Sequence, residues 1–352
     1  VKKREIIPHS RPLVDEVEMQ RLQNVLASGQ LAQGPQVNGF EEELGSFHGL
    51  LPGVATSSGT TALHLALLSL GVGPGDEVLL PSYVCSAPLH AAYHSGATPV
   101  LVDVDPTTGN MDPDDLKKRL TSKSKAIIAV HLFGLPADMD DILALGLPVI
   151  EDCAQSLGAN LEGQMLGTMG AISICSFYAT KLITTGEGGM LLSHDPGLLA
   201  RARDRRDYDK RDSFAIRFNY KMTDLQARLG RSQFQKLERF LGQREALAGV
   251  YDEQLATLPC TLPISQEGRI YYRYVVSIKG NITELMQTLV NMGIEVARPV
   301  YRPLHRYFNL EDYPGAEMAW KSDLSLPIHP SLTSQDVHRV CHALQSALME
   351  NS

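Results

Sequence analysis

Tryptophan occurs once in these 352 residues and cysteine five times, and no apolar run is long enough to cross a bilayer. The cysteines, Cys85, Cys153, Cys175, Cys260 and Cys341, are scattered, with no CxxC pair and no histidines at ligand spacing. That pattern excludes a zinc ribbon or a disulfide-stapled scaffold, predicts no metal centre, and fits a reducing compartment. We read these thiols as small buried residues near strand ends. Positive charge is also short. Lys and Arg number 32 against 40 Asp and Glu, a formal net charge of −8, whereas a nucleic-acid binder would carry a basic face. The N-terminal Val1–Glu5 runs into Ile6-Ile7-Pro8 without the apolar stretch of a leader. These absences predict a cytoplasmic protein that contacts neither nucleic acid nor membrane.

What remains is ordinary globular material, 43% hydrophobic and 20% charged, long enough for a large domain and a smaller companion. From about residue 54 to 195, short apolar runs alternate with helical patterns. Strands are expected at 78–81, 100–103, 126–130, 149–152 and 172–177, with amphipathic helices at 112–120 and 139–145. Such alternation predicts an α/β layer around a mostly parallel sheet with helices on both faces. A long helix is expected over 223–244, where Leu225, Leu229, Phe234, Leu237 and Leu241 recur at helical spacing. Beyond it the pattern changes. Residues 271–278 alternate like a half-buried strand, 283–292 read as a helix, and 334–349 as a closing helix. We divide the chain into a large domain, 1–240, including an N-terminal arm, and a small α+β domain, 241–352.

Lys181 carries the chemistry. It follows Ser176-Phe177-Tyr178-Ala179-Thr180 and precedes Thr184-Thr185-Gly186-Glu187-Gly188-Gly189. A lysine in such an apolar, glycine-flanked segment can be desolvated and left with an amine free for Schiff-base chemistry. Three other segments supply what pyridoxal 5'-phosphate needs. Ser57-Ser58-Gly59-Thr60-Thr61 opens an apolar helix, whose unpaired N–H groups suit a phosphate; Gly59 permits close approach, and Thr60 and Thr61 add hydroxyls. The same residues read equally as an ordinary helix cap. Ile150-Glu151-Asp152 ends a buried strand, where ligands of α/β sheets bind. A carboxylate there would keep a pyridine nitrogen protonated and preserve the ring as an electron sink, or would merely cap the strand end. Gln155 could donate to the ring's phenolic oxygen, Ser176 could reach the phosphate, and Asn219 could reach it from a neighbouring subunit or simply cap a turn.

The ordered motifs Gly34-Pro35, Ser58-Gly59-Thr60-Thr61-Ala62-Leu63, Gly75-Asp76-Glu77-Val78, Val130-His131-Leu132-Phe133-Gly134, Glu151-Asp152, Thr185-Gly186-Glu187-Gly188-Gly189, Asn219-Tyr220-Lys221-Met222 and Leu324-Ser325-Leu326-Pro327 resemble those of the DegT/DnrJ/EryC1/StrS family of PLP-dependent aminotransferases acting on nucleotide-linked keto-sugars. The resemblance covers nearly the whole chain. It implies the PLP-dependent transferase fold type I and a homodimer with active sites at the subunit interface. It implies that Lys181 binds the cofactor covalently and shuttles the proton, that Asp152 pairs with the pyridine nitrogen and that Gln155 sits near the ring hydroxyl. Thr60, Thr61 and Ser176 would hold the phosphate, with Asn219 from the other subunit. Relatives that dehydrate their sugar carry histidine in place of the lysine. The reaction implied moves an amino group from L-glutamate or glutamine through pyridoxamine 5'-phosphate to the ketone of a nucleotide sugar, in surface-polysaccharide or modified-sugar biosynthesis. A keto-cyclitol substrate, or a PLP-binding regulator without turnover, are the alternatives.

Two positions depart from the family pattern. Cys85 stands where an aromatic residue usually stacks on the cofactor, so either Tyr83 stacks from a shifted backbone or the sulfur makes the contact. Lys221 stands where many relatives carry arginine. The charged stretch 201–212 reads as a solvated face or as a source of one arginine for a diphosphate. Arg298, Tyr301, Arg302 and His305 form a second polar cluster, a surface loop or a sugar-nucleotide contact.

Overall fold

The computed structural model describes residues 6–350; the Val1–Glu5 stretch, expected to carry no leader, lies outside the described residues. The first half of the chain builds a seven-stranded sheet from β1 (Val54–Thr56), β2 (Glu77–Pro81), β3 (Thr98–Val102), β4 (Ser124–Val130) and β5 (Val149–Asp152), then, after the small hairpin β6 (Asn160–Leu161) and β7 (Gln164–Met165), β8 (Ile172–Ser176) and β9 (Gly189–Leu192). The order across the sheet is β1-β9-β8-β5-β4-β2-β3. Five neighbouring strands, β8-β5-β4-β2-β3, run parallel, and β9 is antiparallel to both its neighbours. The run Ala126–Val130 is apolar without alternation because both faces of a parallel sheet are covered; β5 is buried at every residue, its two closing acids included.

The cover consists of helices α1 (Glu16–Ser28), α2 (Pro35–Phe47), α3 (Gly59–Ser69), α4 (Ala87–His94), α5 (Pro113–Lys118), α6 (Met139–Leu143), α7 (Pro196–Arg206) and α8 (Asp224–Phe234). Helix α3 is apolar around nearly its whole circumference, and Ala62–Leu67 is buried throughout. Such a helix lies inside the molecule.

The helix expected over 223–244 is broken at Gln235-Lys236, and a second helix, α9 (Leu237–Leu255), continues to residue 255. The break lets the chain change partner. Helix α8 packs on α1 and α2, and Lys236 at the junction ties Asp15 at 2.7 Å and Glu18 at 2.6 Å. Helix α9 begins against the first core through Leu237 and Phe240 and ends in a second through Leu247, Ala248, Tyr251 and Leu255. That second core lies between α9, a three-stranded antiparallel sheet of β10 (Cys260–Thr261), β11 (Tyr274–Ile278) and β12 (Asp323–Leu326), and helices α10 (Ile282–Asn291) and α12 (Ser334–Glu350). Helix α11 (Pro314–Ser322) instead returns to the large sheet, where Ala316 and Ala319 join the separate cluster built around α3. The N-terminal arm joins the second core: Ile7 is buried there and bridges Ile294.

Candidate active site

Strand ends assemble the site. Asp152 is the last residue of β5 and Ser176 the last of β8, while the Ser57-Ser58 turn carries β1 into the N-terminus of α3. Lys181 follows in the loop after β8. Gly59, Thr60, Asp152, Gln155, Ser176 and Lys181 border one cavity of ≈ 340 Å³, at the carboxyl edge where α/β sheets bind ligands. At Gly59 a Cβ would lie 2.9 Å from Ser176 Cβ and 3.1 Å from its Oγ, so only glycine leaves the helix N–H groups open beside that hydroxyl.

Thr61 is placed differently. Its hydroxyl donates to the Ser58 carbonyl at 2.8 Å and accepts the Ser58 N–H at 3.0 Å, and it is not among the residues bordering the cavity. The cap and the phosphate cradle, alternatives in the sequence, are therefore divided between neighbours: Ser58 and Thr61 cap the helix while Gly59 and Thr60 face the cavity. Asn219 is exposed and does not border the cavity of its own chain.

Asp152 is buried, accepts the Ala154 N–H at 2.9 Å and forms no ion pair among the described residues. Burial pushes its carboxyl above the usual range, against the opposing pull of the Ala154 bond and the Lys181 charge. It is a carboxylate awaiting a cation. Gln155 Oε1 accepts the Phe133 N–H at 3.0 Å, which leaves its amide NH2 as a donor toward the cavity. Phe133 adopts φ 57 to present that N–H, and Gly134 follows at φ 91, where a Cβ would strike the Ile270 carbonyl at 2.2 Å. Backbone held in this left-handed region is typical of functional loops.

Glu151 points to the other side of β5 and serves the fold. It accepts N–H groups of Gly167, Met169 and Gly170 at 2.8, 2.7 and 2.6 Å, and His131 Nε2 lies 3.1 Å away. Burial works to raise its carboxyl, but His131 and the backbone donors outweigh it and hold it below the ordinary value. His131, Glu151 and Cys153 lie close enough together to suggest a metal site. His131 offers no lone pair there, since its Nδ1 accepts the Ala137 N–H at 3.1 Å, which puts the ring proton on Nε2 facing Glu151.

Lys181 Nζ sits 4.9 Å from the ring centroid of Tyr272. Burial acts to raise the Tyr272 phenol, but the Lys181 and Arg273 charges and a hydrogen bond with Thr180 bring it down to about 8. Cys85 borders the cavity with Val84, whereas Tyr83 is fully buried and donates to Asp323 at 3.0 Å. Of the two residues weighed in the sequence, Cys85 borders the cavity and Tyr83 does not.

The other charged segments lie elsewhere. Arg206 is buried against Glu41 at 2.5 Å, Arg201 and Arg203 bond backbone carbonyls of Ser69, Pro52 and Gly53, and Lys221 pairs with Asp207 at 2.6 Å. None borders the cavity. Arg298, Tyr301 and Arg302, with Arg306 and Trp320, line a separate groove of ≈ 610 Å³, while the His305 ring is buried between Ser82 at 2.7 Å and Glu317 at 2.9 Å. Tyr272 and Arg273 border the cavity and were missed in the sequence. Their signal was an arginine inside an otherwise apolar strand pattern.

A buried carboxylate without a cation, a helix N-terminus laid open by glycine, and a lysine amine on one cavity are the donor set pyridoxal phosphate needs, and the residues present fit it. The fold and site together define a PLP-dependent transferase of fold type I. The chain belongs to the DegT/DnrJ/EryC1/StrS aminotransferase family, whose sequence profile matches residues 12–345, and it is an aminotransferase. GDP-perosamine synthase of Caulobacter vibrioides is 39% identical over 88% of this chain and 89% of its own. The crystal structure of the aminotransferase TlmJ from Streptoalloteichus hindustanus superposes with a TM-score of 0.94 at 32% identity, covering 99% of this chain and 100% of that one. Spr1654 from Streptococcus pneumoniae, solved in its PLP form, matches with a TM-score of 0.92 at 26% identity over 99% and 100%.

Proposed function

We propose that this aminotransferase moves an amino group from L-glutamate or glutamine to the ketone of a nucleotide-linked sugar. The observation that carries it is the single cavity onto which Lys181, Asp152 and the start of α3 converge; the likeness to a GDP-perosamine synthase supports the sugar class. Pyridoxal phosphate, when bound, supplies an electron sink for the amino-bearing carbon. Gly59, Thr60 and Ser176 would hold its phosphate, Asp152 would hold the pyridine nitrogen protonated, and Gln155 would donate to the phenolic oxygen. Lys181 would bind the cofactor and would carry a proton to and from the reacting carbon. The Tyr272 ring beside its Nζ limits water there.

We further propose a homodimer working in the cytoplasm, with Asn219 reaching the partner's phosphate site and the small domain beginning at 241. The segment between α7 and α8 supports the dimer, because Phe214 is 98% and Ile216 69% exposed, a liability in a lone molecule. Sedimentation as a monomer would sink that part. No described helix is long and apolar enough to cross a membrane.

The test of the reaction is to load the protein with pyridoxamine phosphate and record absorbance while nucleotide keto-sugars, GDP- and UDP-linked, are added. Return of the pyridoxal absorbance with one of them is expected and names the substrate. No change with any of them, in a protein that does exchange with glutamate, contradicts the sugar reading.

A further inference from the structure

Arg273 stands immediately before β11 and borders the cofactor cavity from the side of the second core. Its Nη1 lies 3.2 Å from His9 Nε2 and 3.4 Å from Ser325 Oγ. Ser10 Oγ lies 3.0 Å from His9 Nδ1. A guanidinium only donates, so Nε2 presents its lone pair to Arg273 and to Ser325 Oγ, 2.9 Å away, and the ring proton sits on Nδ1, toward Ser10. Burial, then the charges of Arg273, His329 and Arg244, depress His9 to about 3, so the imidazole is neutral across the physiological range. The N-terminal arm therefore orients Arg273 without cancelling its charge. Neighbouring Arg244 is buried and bonded to the carbonyls of Tyr271, Tyr272 and Ile328 at 3.3, 3.1 and 2.9 Å. Among the described residues neither arginine forms an ion pair, and a cation kept this way at the cavity, as Arg273 is, favours an anion entering it.

Position decides which anion. Lys181 Nζ and Arg273 Cζ lie 4.9 and 5.4 Å from the centroid of the same Tyr272 ring. The guanidinium thus shares a wall with the reacting amine, whereas the N-terminus of α3 forms the phosphate end. An amino acid carries its carboxylate on the carbon that bears the amine, one bond from the reaction. A nucleotide keto-sugar has no charge at its reacting carbon, and its diphosphate is a sugar ring away.

We propose that Arg273, held by His9 of the N-terminal arm, binds the α-carboxylate of the amino donor and so selects an amino acid for the first half of the reaction. This rests on the aminotransferase reading above. Arg273 contacts the substrate, and His9 is a positioning residue.

The test uses the holoenzyme and Arg273→Gln, with Arg273→Lys as a variant that keeps the charge but loses the planar fork. Glutarate, a dicarboxylate that cannot react, is titrated by calorimetry, and the half-reaction with L-glutamate is followed by absorbance. Arg273→Gln should weaken both by about 10- to 100-fold, the worth of a charged hydrogen-bond pair, and Arg273→Lys by less. Reaction of the pyridoxamine-loaded variant with the nucleotide keto-sugar should fall at least about tenfold less than the glutamate half-reaction does, the worth of the carboxylate pair made in that half alone. His9→Gln should weaken glutarate less than Arg273→Gln does. Unchanged glutarate binding, or equal losses in both halves, overturns the assignment. Glutarate binding that is lost in Arg273→Gln while wild type aminates no sugar would overturn the substrate reading and keep the anion site.

Discussion

Asp152 and Glu151 are neighbours in sequence with opposite fates, because successive side chains of a strand point to opposite faces. Glu151 faces three backbone N–H groups and His131 and is held ionised, while Asp152 has one backbone partner and a carboxyl raised by burial. The first is satisfied by the protein alone and the second by a ligand. Asp152→Asn keeps the shape and removes the charge. Its apoenzyme should melt no lower than wild type, since an unpaired buried carboxylate is unfavourable. Cofactor affinity should fall at least about tenfold, as expected for a lost charged partner, and with it the stabilisation that binding gives. Melting curves with and without pyridoxal phosphate measure both; equal cofactor stabilisation in variant and wild type would contradict the role. At this scale the sequence was informative where a motif has a chemical reason, as at Lys181, Gly59 and Asp152. It was silent on Tyr272 and Arg273, which enter the cavity from a strand distant in sequence, and alternation within a strand does not say what its first residues face.

Among elements, the five parallel strands were legible because burial on both faces writes an apolar run, and their ends shifted by at most two residues. The break between α8 and α9 was not. The apolar spacing continues through Gln235-Lys236, and what changes is the partner each helix packs on, a tertiary fact. The loop after β2 is joined to β12 by another such fact, the hydrogen bond from Tyr83 to Asp323 at 3.0 Å. Burial raises the Asp323 carboxyl to about 7, against the opposing pull of Tyr83, Ser322 and Ser277. An unfolded aspartate releases its proton near pH 4. Between those values the native state holds a proton the unfolded chain has lost, so this group's contribution to stability falls as pH rises. Asp323→Asn keeps an acceptor for Tyr83 and cannot ionise. It should gain about 4 kcal/mol over wild type at pH 8 and converge with it toward pH 4. Urea unfolding across that range would show parallel curves if Asp323 accepted the Tyr83 bond as an ordinary ionised carboxylate.

The whole molecule is organised around two cores that α9 connects, with the cofactor cavity walled by both: Asp152, Ser176 and Lys181 from the first, and Tyr272 and Arg273 from the lead into the second's central strand. The N-terminal arm, far in sequence from either wall, reaches the second core through Ile7 and Arg273 through His9. Composition excluded whole classes of function and periodicity produced the layers, but only an ordered set of motifs identified the family, and assembly of the cavity from segments more than 200 residues apart is visible only in three dimensions. The central claim is that Lys181 is the residue that takes the cofactor. Borohydride reduction of the pyridoxal-loaded protein fixes the bond between lysine and cofactor, and peptide mass spectrometry then locates it. The adduct is expected on the peptide containing Lys181 and on no other; a label on a different lysine, or none, would contradict the account.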